Sequence, residues 1–351
     1  MRKTVSLILV LGAPQLAHAQ LSDSFSSCAT VADDASRLAC YDRVTGRSAV
    51  PAAAGDGEAV PTSEGSAPAA AGEPGLRVAG VVPSALGQRW ELDPGTDRGT
   101  FGFSPYRQNY AVVKFTSRSN DYPFRELATT QPNDSLDLDD QEVKFQLSFK
   151  SKIASDVFGS GSNIWFAYTQ QSNWQVFNEE VSRPFRETNY EPEIMWVTPL
   201  DVSLGSFKLR YATLGLNHQS NGRAEPLSRS WNRVFAEIGG ESGNFALWFR
   251  PWIRIEEDEK DDDNPDIEKY IGRGEIVAAY RHEDHIFSTV IRNNFSLNDN
   301  KGSVMADWSF PVTGSLRGYA RVFNGYGESM IDYNWSQTTL GVGIILTDVL
   351  W

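Results

Sequence analysis

Cysteine is nearly absent: the 351 residues hold two, Cys28 and Cys40, both close to the N-terminus. Two cysteines with no His beside them fall short of a structural zinc site. In an oxidising compartment such a pair closes a small loop. Long apolar runs are missing as well. Outside the N-terminal leader no stretch approaches the roughly 18 residues that a helix needs to cross a bilayer, which excludes a helical membrane protein. Basic charge is short too: the net charge is −13, and no basic stripe offsets it, so nucleic acid is excluded as a partner. Mean hydropathy is negative. That average hides a membrane face wherever lipid-facing and lumen-facing residues alternate.

What is present begins with a leader. Residues 1–19, MRKTVSLILVLGAPQLAHA, have a basic start, a short apolar core and an Ala-x-Ala ending. They read as a secretory signal peptide cleaved before Gln20. Residues 20–46 carry both cysteines and read as one or two short helices in a periplasmic segment. Residues 47–75 are Ala, Pro, Gly, Ser and Glu, the composition of a disordered linker. Residues 76–108 regain Val, Leu, Trp and Phe and read as an ordered lead-in at the periplasmic end of the strand-rich remainder of the chain.

From Asn109 to the C-terminus the pattern is strand after strand. Val143, Phe145, Leu147 and Phe149 alternate with Lys144, Gln146, Ser148 and Lys150, as a strand between lipid and a polar lumen requires. About twelve such runs begin near Asn109, Gln141, Ser162, Glu191, Phe207, Trp231, Asn244, Lys269, His285, Gly302, Leu316 and Asn334. Short turns (156–162, 239–243, 311–315) alternate with longer polar loops, and the chain closes on LGVGIILTDVLW. The expectation is an all-β, 12-stranded antiparallel transmembrane β-barrel over 109–351. Its short turns would be periplasmic, and 119–140, 172–190, 219–230, 256–268, 296–301 and 326–333 would lie outside.

The stretch 214–235, LGLNHQSNGRAEPLSRSWNRVF, holds the chemistry. His218 and Ser220 are two apart, so on a strand they share a face. A hairpin through SNGRAEPLSRS returns Asn232 beside His218. That juxtaposition supplies a nucleophile, a base and an amide to orient the base. Such sites mostly use a carboxylate in the third place, and the acid nearest in sequence is Glu225. Asn232 shares parity with Val234, Ala236 and Ile238, and His218 and Ser220 share parity with Leu214 and Leu216. The set therefore faces lipid, and its substrate is a lipid. Phe207, Leu209 and Tyr211 have the opposite parity.

Four segments together resemble the signature of the outer membrane phospholipase A family. They are Asn217-His218-x-Ser220-Asn221-Gly222-Arg223 with Ser228-Arg229-Ser230-Trp231-Asn232-Arg233, then PFRETNYEP at 184–192, DDNPDIEKY at 262–270 and YGESMIDYN at 326–334. The resemblance implies a calcium-dependent hydrolase of phospholipids and lysophospholipids, acting at both glycerol positions (A1 and A2 activity). It implies residence in the bacterial outer membrane with the site on the cell-surface side. Catalysis would fall to Ser220, His218 and Asn232, with the Gly222 amide and a calcium-bound water at the oxyanion. Calcium would be held by the Ser228 side chain, the Arg223 carbonyl and Ser182 of a neighbouring subunit. The active form would be a homodimer with Gln170 at its interface. The rival readings are a catalytically silent pore or structural barrel, and an outer membrane protease using rim acids. His282-Glu-Asp-His285 reads as a solvated turn and 256–266, EEDEKDDDNPD, as a solvated external loop.

Overall fold

A computed structural model describes residues 31, 33, 36, 37, 40, 84–125, 138–179, 183–260 and 262–350. The signal peptide, the linker, Cys28 and Ser182 lie outside them. The unit 73–351 is built on strands β1 (Phe103–Pro105), β2 (Asn109–Thr116), β3 (Gln141–Val157), β4 (Ser162–Trp174), β5 (Phe185–Leu204) and β6 (Phe207–Ser220). It continues with β7 (Ser230–Ser242), β8 (Phe245–Ile255), β9 (Gly274–His282), β10 (His285–Asn293), β11 (Gly302–Thr313), β12 (Leu316–Gly325) and β13 (Gln337–Thr347). β2 pairs with both β13 and β3, and each following strand pairs antiparallel with the next. The twelve strands β2–β13 thus close into a barrel with no free edge, which is how strands can cross a bilayer. No helix among the described residues is long and apolar enough to do so.

Three details depart from the sequence expectations. β1 is an additional short strand, paired to the end of β3 beyond the reach of β2. Lys269 begins no strand: it sits in the helix Ile267–Ile271, whose two buried isoleucines are four residues apart on one face. β9 starts only at Gly274, and β5 starts at Phe185, well before the expected Glu191, because residues 185–190 extend the pairing with β4 to its end. The parity conflict on β6 also resolves. A register shift lies between Leu209 and Tyr211, and Tyr211 points inward, fully buried, with its hydroxyl donating to Glu237 at 2.6 Å.

Both mouths of the lumen are filled. At the short-turn end the helix Ala85–Trp90, capped by Ser84, inserts Trp90 among Tyr106, Trp165 and Tyr211, with ring centroids 5.4–6.1 Å apart. Leu86 N donates to Glu241 Oε2 at 3.0 Å and Arg89 donates to the Val349 carbonyl at 2.9 Å. The expected lead-in is therefore a plug. At the other end 326–335 folds inward instead of standing free as a loop: Glu328, Met330, Ile331 and Asp332 are all buried. Lys144 binds Glu328 at 2.8 Å, Arg186 binds Asp332 at 2.9 Å, and Met330 N and Ile331 N donate to Asn189 and Glu187. Burial pushes the Glu328 carboxyl up, but Lys144, Arg321 and Lys114 outweigh it and hold it down at about 2. Between the plugs, Arg250 bridges Glu193 and Glu237, while Arg107 and Arg233 share Glu191. The cavities among these side chains measure about 60 and 70 Å³, room for a few waters.

The outer wall is apolar. Leu214, Leu216, Ile253, Val322, Leu340 and Val342 are among the large side chains left exposed on it. Aromatic rings gather near both rims, with Phe287, Trp308 and Phe310 stacked near the short turns and Trp174 against Phe185 near the long loops. That is the girdle of a barrel in lipid. His285 belongs to it: its Nδ1 accepts from Trp308 Nε1 at 3.1 Å, and His282 pairs with His285 across the two-residue turn Glu283-Asp284. The pair is a turn, as its position suggests.

Candidate active site

The register of β6 and β7 sets His218 directly across from Asn232 and Ser220 across from Ser230. Leu214 and Leu216 are exposed on β6 while Thr213, Gly215 and Asn217 are buried, so His218 and Ser220 continue the outward row. On β7 the outward row is Asn232, Val234, Ala236 and Ile238. His218 Nδ1 stands 2.8 Å from Asn232 Oδ1. An amide oxygen can only accept, so Nδ1 carries the proton and Nε2 keeps its lone pair. Ser220 sits two residues further along the same face. A serine, an imidazole and an orienting amide on one face are the groups on which nucleophilic catalysis by a serine draws.

The hairpin that holds it is tied by one side chain. Asn221, buried, donates from Nδ2 to the Leu227 carbonyl at 2.7 Å. Its Oδ1 accepts from the Arg223 and Arg229 amides at 3.2 and 3.0 Å. Gly222 beside it has φ +64°, and a Cβ there would lie 3.1 Å from Tyr190 Cε2. Both the left-handed backbone and the ring below call for glycine at this position. The amide of Gly222 is thereby fixed two residues from Ser220. The Arg223 guanidinium reaches down to the carbonyls of Phe185 and Arg186, at 2.9 and 2.8 Å.

The acidic loop after β8 does not simply stand in solvent. Asn264, fully buried, accepts from Ser230 N and donates to Ser230 O, both at 2.9 Å, clamping the start of β7. Arg254 holds Asp262 at 2.6 Å. Asp263 accepts a hydrogen bond from the Ser228 hydroxyl. Residues 256 and 258–260 do remain exposed. The sequence pointed to Ser228 but missed Asp263, which only the docking of this loop brings to it. Hydroxyl and carboxylate oxygens side by side suit a hard cation such as calcium, which takes 6–8 oxygens. Among the described residues no three His, Cys, Asp or Glu side chains converge on one point. A calcium here would therefore draw on backbone carbonyls and water as well.

The acid nearest in sequence is not the one that meets the pair. Glu225 is exposed on the hairpin loop. The carboxylate that reaches the His218–Asn232 pair is Glu257, whose Oε1 accepts from Asn232 Nδ2 at 2.8 Å. Gln170 faces outward on β4, paired with Leu147 and Tyr190. Tyr190 in turn pairs with Ser220. Gln170 and Ser220 thus lie in one row across the barrel wall. Further down the same wall from His218 and Asn232, Ile194, Trp196, Leu214, Leu216 and Val234 line an open apolar hollow of about 250 Å³.

A family model described as Phospholipase A1 matches residues 86–346. The phospholipase A1 of Salmonella typhimurium is 39% identical over 249 residues, 71% of this chain and 83% of that protein. The solved outer membrane phospholipase A of Escherichia coli superposes with a TM-score of 0.64 at 37% identity, covering 70% of this chain and 95% of that one. The Salmonella typhi outer membrane phospholipase, solved as a dimer with bound calcium, gives a TM-score of 0.66 at 35% identity, covering 77% and 100%. By that match and these identities, the chain belongs to the phospholipase A1 family.

Proposed function

We propose that the protein is a calcium-dependent phospholipase of the bacterial outer membrane, hydrolysing acyl esters of phospholipids and lysophospholipids with A1 and A2 activity. The observation that carries the reading is the His218 Nδ1 to Asn232 Oδ1 contact of 2.8 Å on the outward face, with Ser220 on the same face. Ser220 Oγ attacks the ester carbonyl as His218 Nε2 takes its proton. His218 returns the proton to the departing glycerol oxygen, leaving an acyl-serine and a free alcohol. Water then cleaves the acyl-serine with His218 again as base, releasing a fatty acid and restoring Ser220. Asn232 keeps the ring oriented throughout. The hollow lined by Leu214, Leu216 and Ile194 suits an acyl chain lying along the wall. The Gly222 amide is the donor placed for the oxyanion.

Calcium bound at Ser228 and the Arg223 carbonyl would supply positive charge to the developing oxyanion. The oxygen atoms of Ser228 and Asp263 fit such an ion, and Ser182 of a second copy is proposed as a further ligand. The active form is then a homodimer joined along the wall that carries Gln170. A site on the outer wall faces bulk lipid on one side, and a second barrel would seal its acyl groove. The site lies at the long-loop rim, and in a bacterial barrel whose longer loops point outward it would face the cell surface. The filled lumen is unsuited to a passive pore.

The test is phospholipid hydrolysis in detergent micelles, with calcium and with EDTA, for wild type and Ser220→Ala. Loss of activity both in EDTA and in Ser220→Ala is expected. A Ser220→Ala protein as active as wild type would overturn the reading. Activity that needs Ser220 but ignores EDTA would remove the calcium site alone.

A further inference from the structure

We propose that Glu257 is a positioning residue that fixes which end of the Asn232 amide faces His218; the proposal rests on the function proposed above. Glu257 lies two residues beyond Ile255, the last residue of β8, and Ile255 is the cross-strand partner of Asn232. Ile253 and Ile255 are exposed on the outer wall. The same alternation carries Glu257 to that wall, diagonal to Asn232 and within reach of a long side chain. It alone of residues 256–260 is half-buried, the other four being exposed. Its Oε1 takes the Asn232 Nδ2 proton at 2.8 Å.

The chemistry comes from what each group can do. An asparagine amide has an accepting end and a donating end of nearly the same shape, and a half-turn exchanges them. With Nδ2 toward His218, the ring would have to accept at Nδ1 and carry its proton on Nε2. It could then take nothing from Ser220. An ionised carboxylate accepts only. Glu257 therefore selects the donating end of the amide and leaves Oδ1 for His218. The flipped amide would set its oxygen against a negative charge. Glu257 also makes Oδ1 a better partner for the imidazolium that forms as Ser220 loses its proton, because chained hydrogen bonds polarise one another. The negative charge that a carboxylate orienter supplies directly is thus provided one amide further out. A solvated member of an acidic loop would do none of this.

The full-length protein in detergent micelles with saturating calcium provides the test. Glu257→Gln presents an amide that donates as readily as it accepts, and kcat is expected to fall about tenfold with KM unchanged. Glu257→Asp, which keeps the carboxylate, recovers part of that loss. Glu256→Gln removes the same charge from the exposed neighbour and leaves kcat at the wild-type value. In an Asn232→Ala background the Glu257→Gln change costs nothing further, since the amide it would orient is gone. Unboiled electrophoretic migration verifies that each variant is a folded barrel. Equal kcat for Glu257→Gln and Glu256→Gln would overturn the proposal, as would full additivity with Asn232→Ala. A Ser220→Ala protein that stays active would instead remove the function on which the proposal depends.

Discussion

Along β6 the side chains of Tyr211, Thr213 and Asn217 enter the lumen, while those of Leu214, Leu216, His218 and Ser220 leave the barrel on the other side. The inward set joins a lattice of charge. Asn217 donates to Glu191 and Glu193 at 2.8 and 3.0 Å, and Glu193 in turn holds Arg250. The outward set is apolar until the rim, where three polar residues and Glu257 interrupt it. Stability is invested on the inside, where every charge needs a partner because water is largely excluded. The side chains of the proposed site stand on the outside, on the wall with the apolar hollow.

Three perturbations break or sharpen this contrast. The largest effect is expected inside. Glu328→Gln leaves Lys144 buried without its counter-charge, and unfolding in detergent should show a loss of about 3–5 kcal/mol. The Glu328 carboxyl is held at about 2, below its ordinary value of 4.5. A depressed carboxyl stabilises the folded state above its unfolded value and ceases to do so as pH falls through its folded value. Wild type should therefore lose this contribution between about pH 4.5 and 2, and Glu328→Gln should lose less stability than wild type across that window. On the outer wall, Leu216→Arg should cost about 2–4 kcal/mol near the bilayer midplane and less toward the rim. Folding into lipid vesicles measures it, and a negligible cost would argue that this face is not in lipid. The smallest stability effect belongs to the hairpin. Gly222→Ala forces a side chain into the left-handed region at about 1–2 kcal/mol and presses it on Tyr190. Its kcat should fall, while its unfolding midpoint drops only by the few degrees that such a cost implies. Unchanged kcat would remove the Gly222 amide from the oxyanion.

Much of the barrel was legible because alternation is written locally: a strand between lipid and lumen changes character at every residue. Ten of the expected strand starts fall within about three residues of those observed, with Asn109, Gln141, Ser162 and His285 among them. Lys269 was misplaced because DIEKY is too short for a helical period to outweigh an alternating one. The plug at 326–335 could not be read, since its partners Lys144, Arg186, Glu187 and Asn189 are more than 130 residues away. Of the proposed site, the shared outward face of His218, Ser220 and Asn232 was legible from strand parity and one hairpin. Asp263 and Glu257 were not, because both come from the next long loop, and its register with β7 has no local signature. Proximity in sequence favoured Glu225, which the loop turns away.

The two plugs and the salt-bridged middle have a consequence beyond stability. A membrane that excludes small solutes is only as tight as its least tight protein. A barrel whose bore is stoppered by Trp90 at one end and Met330 at the other adds no conductance, however many copies are inserted. The cell can thus keep a stock of this hydrolase in its envelope without a permeability cost.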